Sequence, residues 1–147
     1  MSTTSGVYPC YKNQFQIGTG NNNETMSTIA DCETFSVAFD NGVEEWNPFD
    51  QEGWVRRLLT SKSVKITVNA KRNVGDTGND AVAALAWLNG RDVEKPFQWT
   101  FPDGTKVEFG DAVINVTNIG AGKSTDVAPL EFEVQSNGKP TVTPNAA

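Results

Sequence analysis

The chain has 147 residues, a formal charge of −6, a pI near 4.6 and 37% hydrophobic residues. That length holds one domain, residues 1–147, and the low apolar share predicts a thin or elongated one with solvated loops and tails. The acidic balance disfavours sequence-specific nucleic-acid binding, the lack of any apolar run of 18 residues excludes a transmembrane helix, and the absence of His removes the commonest general base and metal ligand.

The opening stretch, MSTTSGVYPCYKNQ, has no basic segment followed by an apolar one, so no secretion signal is expected. Folding in a reducing cytoplasm makes Cys10 and Cys32 free thiols rather than a disulfide. Gln14–Ile17 alternates, with Phe15 and Ile17 on one side. Residues 18–30 read as a long polar loop. Thr34–Phe39 is a clear strand, with Phe35, Val37 and Phe39 inward. Residues 40–53 read as a second polar loop. Trp54–Ser61 alternates poorly and Ser63–Lys71 well, with Val64, Ile66, Val68 and Ala70 on one face.

AVAALAWL is a strong helical run, so a helix is predicted over Asp80–Leu88, with Asn79 as its N-cap and Asn89-Gly90 as its stop. It is too short to stand alone and must pack on a sheet. Phe97, Trp99 and Phe101 alternate with polar residues, the turn Pro102-Asp103-Gly104-Thr105 follows, and Lys106–Phe109 completes a hairpin. Ala112–Asn118 and Leu130–Gln135 are the last strands. Residues 136–147 show no periodicity and read as a free or exchanged arm. Each strand has one apolar and one polar side, the pattern of sheets wet on one face.

Charge falls in blocks. Residues 24–52 carry eight acids and no base, whereas residues 55–72 carry six bases and no acid. Either the two blocks pack together within one fold, or opposite charges on different surfaces bring copies together.

No string carries catalytic chemistry. Gly120-Ala121-Gly122-Lys123-Ser124-Thr125 imitates the end of a phosphate-binding loop, but Thr117 stands where the first glycine belongs and a strand follows where a helix is needed. Gly75–Asp80 offers oxygen ligands without calcium-loop spacing and reads as a turn with a helix cap. Asn23-Glu24-Thr25 and Asn115-Val116-Thr117 match glycosylation sequons by chance. Cys10 and Cys32 have no His to complete a zinc site, and no Ser or Cys nucleophile has a His base. No catalytic residue, metal or cofactor is expected. Trp46, Trp54, Trp87 and Trp99 read as core or interface anchors, with a carbohydrate platform as the other use.

From Glu52 to Pro140 the sequence resembles the tail tube, or major tail, proteins of long-tailed (siphovirus-type) double-stranded DNA phages. The resemblance lies in the order of Glu52-Gly53-Trp54-Val55-Arg56-Arg57-Leu58-Leu59-Thr60, Lys62–Val68, Lys71-Arg72, Gly75–Asp80, Phe101–Thr105, Pro129–Val134 and Gly138–Thr141, and covers about 60% of the chain. It implies a mainly β fold, sandwich or barrel-like, flanked by a single α-helix, with long loops and a C-terminal arm. It further implies hexameric rings stacked into a hollow tube, a lumen that DNA traverses without specific binding, contacts with a tape measure and a tail terminator, and assembly in the host cytoplasm into a virion tail. In this setting Glu44, Glu45, Asp50, Arg56, Arg57, Lys65, Lys71, Trp46 and Trp54 are subunit-interface candidates. Glu131 and Glu133 are lumen-lining candidates, because a carboxylate wall repels DNA that a basic wall would hold. A β-sandwich adhesion or carbohydrate-binding module of a baseplate, and another virion part such as a decoration or tail completion protein, are the alternatives.

Overall fold

The structure, a computed structural model, describes residues 6–19 and 25–144. In chain order these form β1 (Gln14–Thr19), β2 (Thr25–Thr28), β3 (Cys32–Trp46), β4 (Arg56–Lys71), α1 (Thr77–Ala84), β5 (Glu94–Thr100), β6 (Lys106–Asn118), β7 (Pro129–Gln135) and β8 (Thr141–Thr143). All eight strands join one antiparallel sheet in the order β2-β1-β5-β6-β7-β4-β3, with β8 on β6. The long β6 is shared. Its first residues, Lys106–Glu108, hold β8, while Val113–Asn118 hold β7. The sheet folds over on itself so that β1 meets β3: the rings of Phe15 and Phe35 stand edge to face at 5.0 Å, and Trp99 reaches Phe35 at 5.5 Å. The fold is therefore mainly β with one helix.

Period-two alternation sets the core. Ile114, Val134 and Ile66 lie in one row across β6, β7 and β4, and Val116, Phe132 and Val68 lie in the next. Ile66, Val68, Ala70, Leu130, Phe132 and Val134 are almost fully buried, facing Phe15, Ile17, Phe97 and Phe109 of the other half. A slip of one residue in β4 or β7 would turn this whole set to solvent, so the register is firmly specified.

α1 closes one end. Its cap is Asp76, whose carboxylate accepts from Asn79 N (3.0 Å) and Ala30 N (3.1 Å). The expected cap, Asn79, instead lies inside the helix, fully buried. Its amide donates to Lys71 O (2.9 Å) and Ala30 O (3.2 Å), and its oxygen accepts from Asn73 N (3.0 Å) and Arg72 Nη1 (2.9 Å). Four satisfied bonds tie the helix to both sheet connections, which decides the position over Asn's capping preference. At Gly78 the helix lies so close to β2 that a Cβ would strike Thr28 O. The α-helix ends at Ala84 and Leu85–Trp87 tightens into a 3-10 turn.

Three expected loops contain strands. Thr25–Thr28 pairs with β1, residues 40–46 continue β3, and Thr141–Thr143 pairs with β6, so the C-terminal segment is docked in its own chain rather than free. Residues 20–24 and 145–147, parts of the expected first loop and arm, lie outside the described residues. Trp54–Ser61 and Ser63–Lys71 merge into one 16-residue β4, and Lys106–Phe109 and Ala112–Asn118 merge into β6. Lys62 bridges the first pair of runs with its ammonium over the Phe39 ring at 5.6 Å, and a bulge at Gly110-Asp111 opposite Pro96 bridges the second, so neither interruption ends the strand.

Candidate assembly surfaces

The first surface is the wet face of β6, β7, β4 and β3. β7 places Glu131 and Glu133 there because Leu130, Phe132 and Val134 face the core. Across the strands, Asn115, Glu133 and Thr67 form one row and Asn118, Glu131 and Asn69 another. Asn118 Nδ2 donates to Glu131 (2.9 Å) and Asn115 Nδ2 to Glu133 (3.3 Å). Lys65 and Lys71, placed by sequence at a subunit interface, share this face. Lys65 Nζ lies 3.9 Å from Glu133, and Lys71 Nζ lies 3.1 Å from Glu33. Asp40 is on the same side, since Ala38 opposes Lys65 and Asp40 opposes Ser63. Four carboxylates (Glu33, Asp40, Glu131, Glu133) thus stand against two ammonium groups, an acidic face half-tempered by lysine. Sequence reasoning missed Asp40 here because it falls in an expected loop. Beside this face, the outer edge of β3 has no strand partner among the described residues.

The second surface is the β3–β4 hairpin beyond Asp40 and Ser63, which projects past the end of β7, whose last paired residue is Gln135 opposite Lys65. It is held by backbone pairing, and a bulge between Gly42 and Val43 twists it. The expected acidic and basic blocks are its two arms. Glu44 opposes Leu58, Glu45 opposes Arg57 and Trp46 opposes Arg56. Arg57 Nε donates to Glu45 within the same chain, and the Arg56 guanidinium lies 5.7 Å from the centre of the Trp46 ring. Asp50 lies in a 3-10 turn at the tip, and the chain reverses through Glu52 and Gly53 at positive φ. Fourteen large apolar side chains are exposed among the described residues; six belong to this hairpin, Val43, Trp46, Phe49, Trp54, Leu58 and Leu59, and Phe39 stands at its foot. A groove of about 560 Å³ opens at its foot, lined by residues that include Phe39, Val64, Pro140 and Val142.

Among the described residues, two titratable groups stand apart from their ordinary values. Burial, with the nearby charges of Asp31 and Asp76, pushes the Cys32 thiol up to about 12. The hydrogen bond from Arg72 (2.7 Å), with a further one from Gly75 N, holds Asp80 below the usual carboxylate range. Both groups serve the helix junction. No cluster of three or more Cys, Asp or Glu with metal-site geometry occurs among the described residues, and no helix there is long and apolar enough to cross a membrane.

No protein-family model and no curated protein sequence matches the chain. Solved structures do. A chain in the tail of an empty gene transfer agent particle, determined by helical refinement with C6 symmetry, superposes with a TM-score of 0.72 at 18% identity, over 94% of this chain and 100% of that one. A chain of the native gene transfer agent virion gives 0.69 at 18% identity, over 94% and 100%. A chain of the sheath–tube complex of an extracellular contractile injection system, in its extended state, gives 0.59 at 15% identity, over 92% and 90%. The chain therefore shares, along nearly its whole length, the fold of proteins found in particle tails and injection-system tubes.

Proposed function

We propose that this chain is the tail tube subunit of a long-tailed, phage-like particle, a non-catalytic wall protein that forms hexameric rings stacked into a hollow tube through which DNA leaves. The observation that carries the reading is the wet sheet face ending in the long unpaired edge of β3. A 15-residue open edge is an aggregation hazard in a lone subunit, and closing a ring removes it. The full-length fold likeness to a tail of C6 symmetry supports the same reading. In the ring, Glu131 and Glu133 face the lumen. Lys65 and Lys71 temper that charge rather than meeting a neighbour's acidic arm. Glu44, Glu45, Asp50, Arg56, Arg57, Trp46 and Trp54 lie between subunits. A tape measure inside the tube and a terminator at its end are the expected partners, and the site of action is the virion tail.

Negative-stain microscopy of the purified, concentrated protein tests this. Rings or tubes are expected, and a monomer at every concentration refutes the reading. The lumen assignment has its own test. Glu131→Lys with Glu133→Lys turns four carboxylates against two lysines into two against four. Particles carrying the change should assemble but eject DNA slowly or incompletely. Normal ejection would remove these two residues from the lining.

A further inference from the structure

We propose that the tip of the β3–β4 hairpin plugs into the cleft beside Trp87 at the opposite end of a second copy of this chain, and that this contact stacks one ring on the next. The inference rests on the tube reading above and adds the partner of the tip.

The register of the sheet fixes the placement. β4 runs the full length of the array, 16 residues or about 50 Å. The tip continues from its Arg56 end. At its Lys71 end, Ala70 pairs with Leu130, and Glu131 pairs with Asn118, the last residue of β6. The chain then turns through Ile119, Gly120 and Ala121 and forms, with Ala86, Trp87 and Val116, a cleft of about 400 Å³. Protrusion and cleft therefore lie at opposite ends of one strand array.

The cleft is mixed in character, with Trp87, Val116 and Ile119 beside Thr117 and Asn118, and its rim is fixed. Trp87 is 80% exposed, and Leu88 beside it is also exposed. Asn118 Oδ1 accepts from Gly120 N (3.1 Å) and Ala121 N (2.9 Å), and Gly120 supplies the positive φ this turn needs. The tip presents Trp46, Phe49 and Trp54, the last 75% exposed. A cleft of this volume admits one large aromatic side chain, not the whole tip. Charge also matches. Asp50 and Glu52 at the tip, and Lys123 two residues beyond Ala121, have no ion-pair partner among the described residues.

Symmetry then decides what the pair builds. A patch that meets a different patch on the next copy is heterologous, and with the two at opposite ends it does not close, so it extends into a fibre. The one aromatic that the cleft admits brings about 150–250 Å² to the contact, well below the roughly 800 Å² per partner of a self-sufficient interface. One plug would not hold two free subunits together, whereas a full circle of plugs holds two rings.

The test uses the whole chain with Cys10→Ser and Cys32→Ser. Gln51→Cys at the tip is mixed with Ala121→Cys at the cleft, or with Val142→Cys at the hairpin's foot, and assembled material is treated with a short bis-maleimide. Covalent dimers are expected with Ala121→Cys and not with Val142→Cys. Trp87→Asp should leave rings but abolish stacking, with circular dichroism and melting like wild type because Trp87 is exposed. Lys123→Glu should shorten tubes, and Asp50→Lys with Glu52→Lys should restore length. Normal tubes from Trp87→Asp, or cross-linking at Val142→Cys in place of Ala121→Cys, would overturn the proposal while leaving the tube reading standing. Absence of any rings in the wild type would overturn both.

Discussion

Reversing Arg56 and Arg57 to Glu separates contacts within the hairpin from contacts between subunits. Within one chain the change removes the Arg57–Glu45 pair, whose side chains are 61% and 51% exposed, and the Arg56–Trp46 contact at 5.7 Å. An exposed pair contributes about 0–1 kcal/mol, an exposed cation–π contact about 0.5–1 kcal/mol, and the new Glu–Glu opposition costs a few tenths, roughly 0.2–1 kcal/mol. The total, about 1–3 kcal/mol, falls on a projection that contributes no residue to the buried core, so it loosens the tip locally rather than unfolding the domain. Urea denaturation of the dilute protein should therefore give nearly the wild-type midpoint. Assembly should change far more, because the tip goes from four acids against two bases to six acids. The decisive assay mixes proteins. The Arg-reversed chain and a chain with Glu44→Arg and Glu45→Arg should each polymerise poorly alone and co-assemble when combined, as seen by sedimentation and microscopy. Pairing confined to one chain predicts no gain on mixing. Normal polymerisation of the Arg-reversed protein alone would refute the argument.

Asn79→Ala should cost about 3–5 kcal/mol in urea denaturation, because it leaves two carbonyls, one amide and the Arg72 guanidinium short of a buried partner; Asn69→Ala, which loses one exposed bond to Thr34, should cost under about 1 kcal/mol. Asp80 is held ionised below its ordinary value of 3.8, so its stabilisation is complete above that pH and is lost as the pH falls through the lower native value. Asp80→Asn should melt below wild type at pH 7, and the gap should close below pH 3.8. Deleting residues 138–147 removes β8 from Lys106–Glu108 and uncovers Val107; assembly should fail while the far-ultraviolet dichroism stays β-rich, and normal tubes would show that the segment plays no part. Maleimide at pH 8 should label exposed Cys10 quickly and Cys32, pushed up to about 12, only after unfolding, as read by mass spectrometry.

Where one strand face is buried, the sequence was legible. Val64, Ile66, Val68 and Ala70, and likewise Leu130, Phe132 and Val134, alternate because the core accepts only every second residue. In the outer hairpin both faces meet solvent in the isolated subunit, so nothing imposes alternation on Asp40–Trp46, and its Asn, Gly and Glu content imitates a loop. β8 is three exposed residues, too short for any period to show. Asn79 carried a correct local signal, a helix start, one turn out of place. Asp76 takes the cap because only a buried amide at Asn79 can satisfy Lys71 O and Ala30 O together. The acidic face was half legible: Glu131 and Glu133 followed from β7's alternation, but the Lys65 and Lys71 that share it required the β4–β7 register.

These failures have a common physical origin. A folding signal is written by burial, and a subunit that completes its burial in an assembly leaves part of that signal without a partner in the single chain. The hairpin shows this most clearly. With Phe39 at its foot it holds half of the exposed large apolar side chains among the described residues, yet none of them contributes to the core. Its pairing comes from backbone bonds and a few weak exposed contacts, and an isolated two-stranded ribbon of this kind is marginal in water. An apolar, aromatic-tipped ribbon that gains little in the monomer gains most when both of its faces are covered. The same holds at the other end, where Trp87 and Leu88 follow a helix that ends abruptly and are exposed rather than buried in the core. Residues that break the local rules at both ends of one strand array are what a subunit built to meet copies of itself along that axis requires.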